Sequence, residues 1–343
     1  MFFLTRHESG PVLTPDSALS WEKEGVFNPG IARIGNEVVM LYRAVGETEA
    51  YISRLGLAKS NDGIAFKRAS TVPVFEPKES FDMWATEDPR ITKIEDDFYI
   101  TYVAVKEQIM QNGNPFPRST PIDTSTALLK TRDFVSFENL GIISPKNSND
   151  KDVVLFPKKI KGRYCMLHRP TFWDKPWYEV LKNNKKIIDL PYKVETLPEN
   201  PGIWIAWSDN LKDWTDHQVL LYSSHHGDSK IGPGLPPIET KDGWLVIYHH
   251  VIETKDKDSF FYSVRAALFD IGDPTRLIGR LPYDILAPEM PYEKEKTSSI
   301  VFPTGGFVVD DTLFVYYGAS DRYVCLATGS LSALLLEIKQ ASK

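Results

Sequence analysis

Cysteine is nearly missing: only Cys165 and Cys325 occur in 343 residues. That excludes a disulfide scaffold and a cysteine-rich metal site, and it fits a reducing compartment. Long apolar runs are absent too. None approaches the ~18–20 residues that cross a bilayer, and the opening MFFLTRHESG is too short in apolar residues for a signal-peptide core. A basic excess is also lacking, since 40 Lys and Arg stand against 46 Asp and Glu, for a net charge of −6. Nothing there neutralises a phosphate backbone, so no nucleic-acid partner is expected and no membrane partner either. Helical periodicity is scarce, and the best stretch is the short SLSALLLEI at residues 330–338. The expectation is a soluble, acidic, cytoplasmic protein, with a homo-oligomer left open.

What is abundant is aromatic and proline: 8 Trp, 15 Tyr, 18 Phe and 24 Pro. Aromatic and β-branched residues favour strands, and Pro and Gly punctuate them. Five segments carry an aromatic-rich strand after a polar turn: EVVMLYRAVG (37–46), DFYITYVAV (97–105), GRYCMLHRP (162–170), GWLVIYHHV (243–251) and TLFVYYGAS (312–320). Each follows a Pro-containing entry, namely Phe27-Asn28-Pro29, Glu87-Asp88-Pro89, Leu155-Phe156-Pro157, Leu235-Pro236-Pro237 and Val301-Phe302-Pro303. Each precedes a further strand, at 55–60, 126–131, 203–208, 264–269 and 323–328. Strand, hairpin, strand, turn and strand, repeated five times, is the grammar of a β-propeller. The fold expected is therefore all-β, a single five-bladed β-propeller over residues 1–343 with a short C-terminal helical segment. Residues 111–123 and 177–201 read as inserted rim loops.

A propeller gathers the ends of its innermost strands around the axis. Equivalent places in the five repeats supply Asn28 and Arg43, Asp88 and Arg90, Lys151 with His168 and Arg169, Lys230 and His249, and Asp321 and Arg322. Taken singly, each suits a solvated strand end. Taken together they make a cationic site in an acidic protein, which suits an anionic ligand. Asp88 is the candidate general acid. In an extended strand Glu87 and Asp88 point to opposite faces, so only one of them is expected at the axis. Hydrolytic glycosidases use two carboxylates, whereas the other repeats offer Lys, Arg and His. Phosphate is already an anion and needs cations rather than a base, so the census favours phosphorolysis.

Weaker signals are set aside. His225-His226 and His249-His250 lack metal-ligand spacing, so no metal site is expected. IGPG at 231–234 lacks the ending of a phosphate loop and reads as a turn. Trp173, Trp177, Trp204, Trp207 and Trp244 read mostly as core, with one or two left for sugar stacking. Phe261-Tyr262 reads as strand packing, and the two cysteines as small core hydrophobes.

VFNPG, LYRAVG, EDPR, Lys151-Asp152 with VLFPKKI, His168-Arg169-Pro170, KIGPGLPPI with IYHH, IGRLP, VFPTGG and YYGASDR together resemble glycoside hydrolase family 130, the β-mannoside phosphorylases and related β-mannosidases. The resemblance runs from about residue 10 to 335 and implies a five-bladed propeller. It also implies roles. Asp88 matches the general acid, acting through the 3-hydroxyl of the mannose. Asn28, Arg43 and Asp321 match residues that hold the mannosyl unit, and Lys151, Arg169 and His249 match the phosphate ligands. Lys151 stands where some relatives have Arg, which loses the bidentate fork, and His250 stands where many have Gly, which changes the expected pocket wall. The hydrolytic branch carries carboxylates at the phosphate positions, and 151, 169 and 249 carry none. Glu239 and Glu253, near in sequence, leave hydrolysis open.

The activity expected is that of an inverting phosphorylase. Inorganic phosphate cleaves a non-reducing β-mannosyl unit from a β-mannoside oligosaccharide to give α-mannose 1-phosphate, with no cofactor. A β-mannosidase and a non-catalytic glycan-binding propeller remain as alternatives. The linkage is not legible.

Overall fold

The computed structural model describes residues 1–48, 51–106, 110–111, 114–115, 124–146, 148–173, 202–222, 228–253, 259–296 and 298–341. Most of both expected insertions, the pair His225-His226 and Trp177 lie outside the described residues, as do the side chains of Trp173 and Glu253.

The structure is nearly all β. After the two-residue strand β1 (Thr5–Arg6), the strands β2 (Gly25–Ile34), β3 (Glu37–Val45), β4 (Ser53–Ser60) and β5 (Lys67–Arg68) form one antiparallel sheet in that order. A second sheet is built from β6 (Ala85–Ile94) and β7 (Asp97–Val105), then, beyond a small hairpin of β8 (Met110–Gln111) and β9 (Asn114–Pro115), from β10 (Thr124–Thr131) and β11 (Glu138–Ile142). The third contains β12 (Ser148–Leu155), β13 (Tyr164–Trp173), β14 (Ile203–Ser208) and β15 (Trp214–Leu221). A fourth group holds β16 (Asp228–Pro233), β17 (Ile238–Thr240), β18 (Gly243–Glu253), β19 (Phe260–Phe269) and β20 (Leu277–Arg280). The last holds β21 (Ser299–Val309), β22 (Thr312–Ala319) and β23 (Tyr323–Ser330), with β1 paired to β23 at its outer edge. A two-residue parallel pairing, Phe261 with Ser299 and Tyr262 with Ile300, joins the fourth and fifth groups into one nine-stranded sheet.

The five groups coincide with the five sequence repeats. Their second strands are buried on both faces, which explains the unbroken apolar runs such as VVMLY and WLVIY. The first strands lie against one another, β2 on β6 and β21, and β12 on β6 and β16. Polar clamps recur between the repeats. Tyr42, Tyr102 and Tyr317 donate their hydroxyls to the buried carboxylates of Glu22 (2.7 Å), Asp82 (2.8 Å) and Glu293 (2.9 Å). Both cysteines are buried in the core, Cys165 against Leu167 and Trp244 and Cys325 against Tyr317 and Ala327. Trp204 and Trp244 are buried as expected.

The one α-helix among the described residues, α1 (Leu331–Ala341), starts one residue later than its apolar pattern and runs further. Ser330 caps it by accepting the Ala333 N–H (3.1 Å), and Leu334, Leu335 and Ile338 are its buried face. No helix among the described residues is long and apolar enough to cross a membrane.

Candidate active site

The first strands of the first three sheets carry the same defect. Pairing slips between Phe27 and Gly30 in β2, between Glu87 and Arg90 in β6, and between Lys151 and Val154 in β12. At each slip one residue takes a left-handed φ: Asn28 at 48°, Asp88 at 50° and Asp152 at 60°. Asn and Asp are the non-glycine residues that best tolerate this conformation. A bulge re-aims side chains that strict alternation would send to opposite faces.

One cluster forms around Arg43. Its Nη1 donates to Asp88 Oδ1 (3.0 Å), its Nη2 to Glu87 Oε1 (2.9 Å) and its Nε to Ser53 Oγ (2.9 Å). Phe27 lies under the guanidinium, 4.9 Å from its carbon. Asn28 Nδ2 donates to the same Asp88 oxygen (2.8 Å). Asp88 Oδ2 takes no hydrogen bond from a described residue, so one oxygen is fixed and the other is available. Asp321, in the left-handed turn after β22, belongs to this cluster. Burial raises its carboxyl pKa, Arg43 opposes the shift, and Asp88 and Glu87 add to it. It edges a cavity of about 160 Å³ that Tyr51, Thr48, Lys296 and Arg322 also line.

A second cluster forms around Asp152, which is fully buried. Arg90 Nη2 donates to its Oδ1 (3.0 Å), and Arg169 donates to its Oδ2 from Nε (2.7 Å) and from Nη2. These guanidiniums, with His249, hold the carboxyl far below the usual carboxylate range despite burial. Lys151 pairs with Arg169 across β12 and β13. Burial, reinforced by the charges of Arg169 and Lys151, pushes the Lys230 amine down to about 7. His249 lies with Nε2 3.6 Å from Asp152 Oδ2, and burial drives its imidazole to the neutral form. Neither ring nitrogen of His249 nor Nη1 of Arg169 has a hydrogen-bond partner among the described residues, though all three atoms are buried. Buried polar atoms are rarely left so. Gly232 makes room for this arrangement, because a Cβ there would sit 2.5 Å from His249 Cε1 and 2.8 Å from Asp152 Oδ2.

Arg90 links the clusters, donating from Nη1 to the Asp88 carbonyl (3.0 Å) and from Nε to the Gly234 carbonyl (2.9 Å). Burial raises the pKa of the Tyr262 hydroxyl, which feels charges of both clusters, Arg169 and Asp152 from the second and Asp321 and Asp88 from the first. Its ring lies 6.3 Å from His249 and 6.0 Å from Phe302.

Residues 11–340 match a protein family described as beta-1,4-mannooligosaccharide phosphorylase, glycoside hydrolase family 130. The chain belongs to this family. Among family-130 relatives, a 1,2-beta-oligomannan phosphorylase from Thermoanaerobacter sp. (strain X514) is 33% identical over 335 residues, covering 95% of this chain and 97% of the relative. A beta-1,2-mannobiose phosphorylase of the same organism is 31% identical over 341 residues, with the same coverage. The structure of the beta-1,2-mannobiose phosphorylase from Listeria innocua in complex with beta-1,2-mannobiose superposes with a TM-score of 0.77 at 26% identity, covering 98% of this chain and 99% of that one.

Within the family-130 fold, the expected residues fall into both clusters: Asn28, Arg43, Asp88 and Asp321 in the first, Lys151, Arg169 and His249 in the second. Several expectations change. Glu87 does not face away from Asp88, since the bulge brings both carboxylates onto Arg43. A second carboxylate does stand among the cations. It is Asp152, at the bulge position equivalent to Asp88, which matching of strand ends passed over. IGPG lies in and just after β16 rather than in a turn, with Gly232 opposite His249. Tyr262 belongs to the site rather than to strand packing alone. His250 points away from the cations, toward Asp284 (3.3 Å) and Ser263 (3.4 Å), and so is no pocket wall there. His168 is likewise turned away, onto Asp150 (2.6 Å). Glu239 is an exposed residue of β17 paired with Lys158. The signal that would have found Asp152 was its bulge: an Asp or Asn one residue past the paired position in three successive repeats.

Proposed function

We propose that this protein is an inverting β-mannoside phosphorylase, built as one five-bladed propeller whose blades are the five strand groups. Inorganic phosphate seats between Lys151, Arg169, Lys230 and His249 and attacks the anomeric carbon of a non-reducing β-mannosyl unit. The C1–O bond breaks as a P–O–C1 bond forms, and the leaving oxygen takes a proton from Asp88. Asn28, Arg43 and Asp321 hold the mannosyl unit, and Arg43 with Asn28 fixes the Asp88 carboxyl. The products are α-mannose 1-phosphate and the shortened mannoside. Three relatives at 31–33% identity are named for β-1,2-linked substrates, and β-1,2 is the linkage we assign. The location we assign is the reducing cytoplasm, on the two free, buried cysteines.

The observation that carries this reading is the second cluster. It gathers four basic side chains, Arg90, Arg169, Lys151 and Lys230, around one carboxylate and leaves buried nitrogens of Arg169 and His249 without a partner among the described residues, which suits an oxyanion of phosphate size. Asp152 gives hydrolysis a specific point in its favour, because a hydrolase needs a second carboxylate. Both Asp152 oxygens are however taken by Arg90 and Arg169, which disfavours it as the base for water. Incubation of the protein with β-1,2-mannobiose, with and without phosphate, separates the two. Turnover is expected only with phosphate; equal release of mannose without it would establish the hydrolase.

A further inference from the structure

Behind Arg169 lies a buried polar file that the proposed chemistry leaves unused. Asp150 (β12) and His168 (β13) are fully buried, and His217 (β15) nearly so. His168 Nδ1 is 2.6 Å from Asp150 Oδ2, His168 Nε2 is 3.1 Å from His217 Nδ1, and His217 Nε2 is 3.2 Å from the Trp214 carbonyl. The other Asp150 oxygen accepts the backbone N–H of Arg169 (3.1 Å). The first two sheets put a tyrosine at this register, Tyr42 and Tyr102, each donating to a carboxylate. The third sheet alone of these three puts an imidazole there, next in sequence to Arg169.

The file begins and ends on acceptors, a carboxylate and a carbonyl. Two imidazoles between them make three contacts, and each contact needs one proton. A carboxylate with two neutral imidazoles supplies only two N–H groups. One contact would then set two lone pairs face to face inside the protein, where buried polar groups are rarely left without a hydrogen bond. It would also leave an isolated buried negative charge. We infer that Asp150, His168 and His217 share three protons, with His168 an imidazolium, and that this neutral file is the positioning device that sets Arg169 and Lys151 for phosphate. The second half of that statement rests on the proposed phosphate site.

The surroundings agree on where the extra proton resides. Burial, with the charge of His168 beside it, pushes His217 down to about 3, against weaker opposite pulls from the Trp214 carbonyl and Asp216. His217 is therefore the neutral member. Asp150 accepts the Arg169 N–H on one oxygen and faces His168 Nδ1 with the other. Also facing the file among the described residues are the Trp204 ring, 6.5 Å from His168, and Thr126, whose hydroxyl donates to the Asp150 carbonyl (3.2 Å). Mechanically, Asp150 stands opposite Pro170, which has no N–H to give the strand ladder. Its side chain grips the Arg169 N–H instead, at the bulge that presents Lys151.

Two measurements test this. Long-range ¹H–¹⁵N spectra of histidine-labelled wild-type protein at pH 7.5, assigned with His168→Gln, should show one imidazole protonated on both nitrogens, and that signal should be the one lost. Two neutral imidazoles would overturn the proton count. Steady-state kinetics test the positioning. Gln at 217 can still accept from His168 and donate to Trp214, so His217→Gln should keep its phosphate KM near wild type. His217→Leu should raise the phosphate KM about tenfold and leave the mannobiose KM unchanged. An unchanged phosphate KM in His217→Leu, or a mannobiose KM that rises equally, would overturn the positioning role. The spectrum is read on the wild-type protein whether or not phosphate is the co-substrate, so failure of the phosphorylase reading and failure of the proton count are separable.

Discussion

The two clusters of the site are opposites in charge but alike in construction. Around Arg43 one guanidinium is held by two carboxylates, Glu87 and Asp88; around Asp152 one carboxylate is held by two guanidiniums, Arg90 and Arg169. Each central group is buried, and each cluster keeps a surplus of one sign at its edge. In the first the surplus is an available oxygen of Asp88, suited to give a proton. In the second it is Lys151, Lys230 and the unpartnered donor of Arg169, suited to hold an anion. The lesson is that a buried counter-ion serves here to fix the geometry of the groups beside it. Buried pairs of this kind are weak sources of net stability, so their value lies in placement.

The most drastic way to break the contrast is to remove the proton donor. Asp88→Asn should lower kcat by roughly 10²–10⁴-fold with little change in phosphate KM, measured by mannose 1-phosphate release. Arg169→Ala comes next. It removes a proposed phosphate contact and strands Asp152 with one guanidinium, so phosphate KM should rise, kcat should fall, and the melting temperature should drop as well. A fall in Tm with phosphate KM unchanged would make Arg169 structural only. Glu87→Gln should cost less activity than Asp88→Asn, about tenfold or under by the same scale, yet lower Tm, because Arg43 loses a buried ionic partner.

The finest probe is Lys230. Its amine is held at about 7 in the folded protein, against 10.5 as its ordinary value. The unfolded chain therefore binds this proton more tightly, so Lys230 weakens the fold fully below pH 7 and progressively less as pH rises toward 10.5. Above pH 7 the amine is neutral until an anion arrives. Phosphate binding at pH 8 should then take up close to one proton, read by calorimetry in buffers of different ionisation enthalpy, and Lys230→Met should abolish the uptake.

Much of this was legible in the chain. Five Pro-entry and aromatic-strand repeats translate directly into five strand groups, because a strand buried on both faces needs a continuous apolar run. The helix was legible from SLSALLLEI at 330–338, which ends three residues before the helix does. Asn28, Arg43, Asp88, Lys151, Arg169, His249 and Asp321 could be read as candidates because they are polar residues at the ends of otherwise apolar strands. What escaped was whatever depends on a bulge. Alternation sends Glu87 and Asp88 apart and hides Asp152 behind Lys151; the left-handed residue at each slip reverses that, and no periodic pattern contains it. Tyr262 escaped for another reason, since an aromatic in a strand looks the same whether it packs or faces a ligand.

The central claim is that the cationic cluster delivers phosphate, not water, to the anomeric carbon. Reaction of β-1,2-mannobiose with ¹⁸O-labelled phosphate in ordinary water tests it most directly. The account predicts α-mannose 1-phosphate with the labelled oxygen bonded to C1 and no more free mannose than the leaving sugar supplies. Two mannose molecules per substrate, one carrying solvent oxygen at C1, would contradict it.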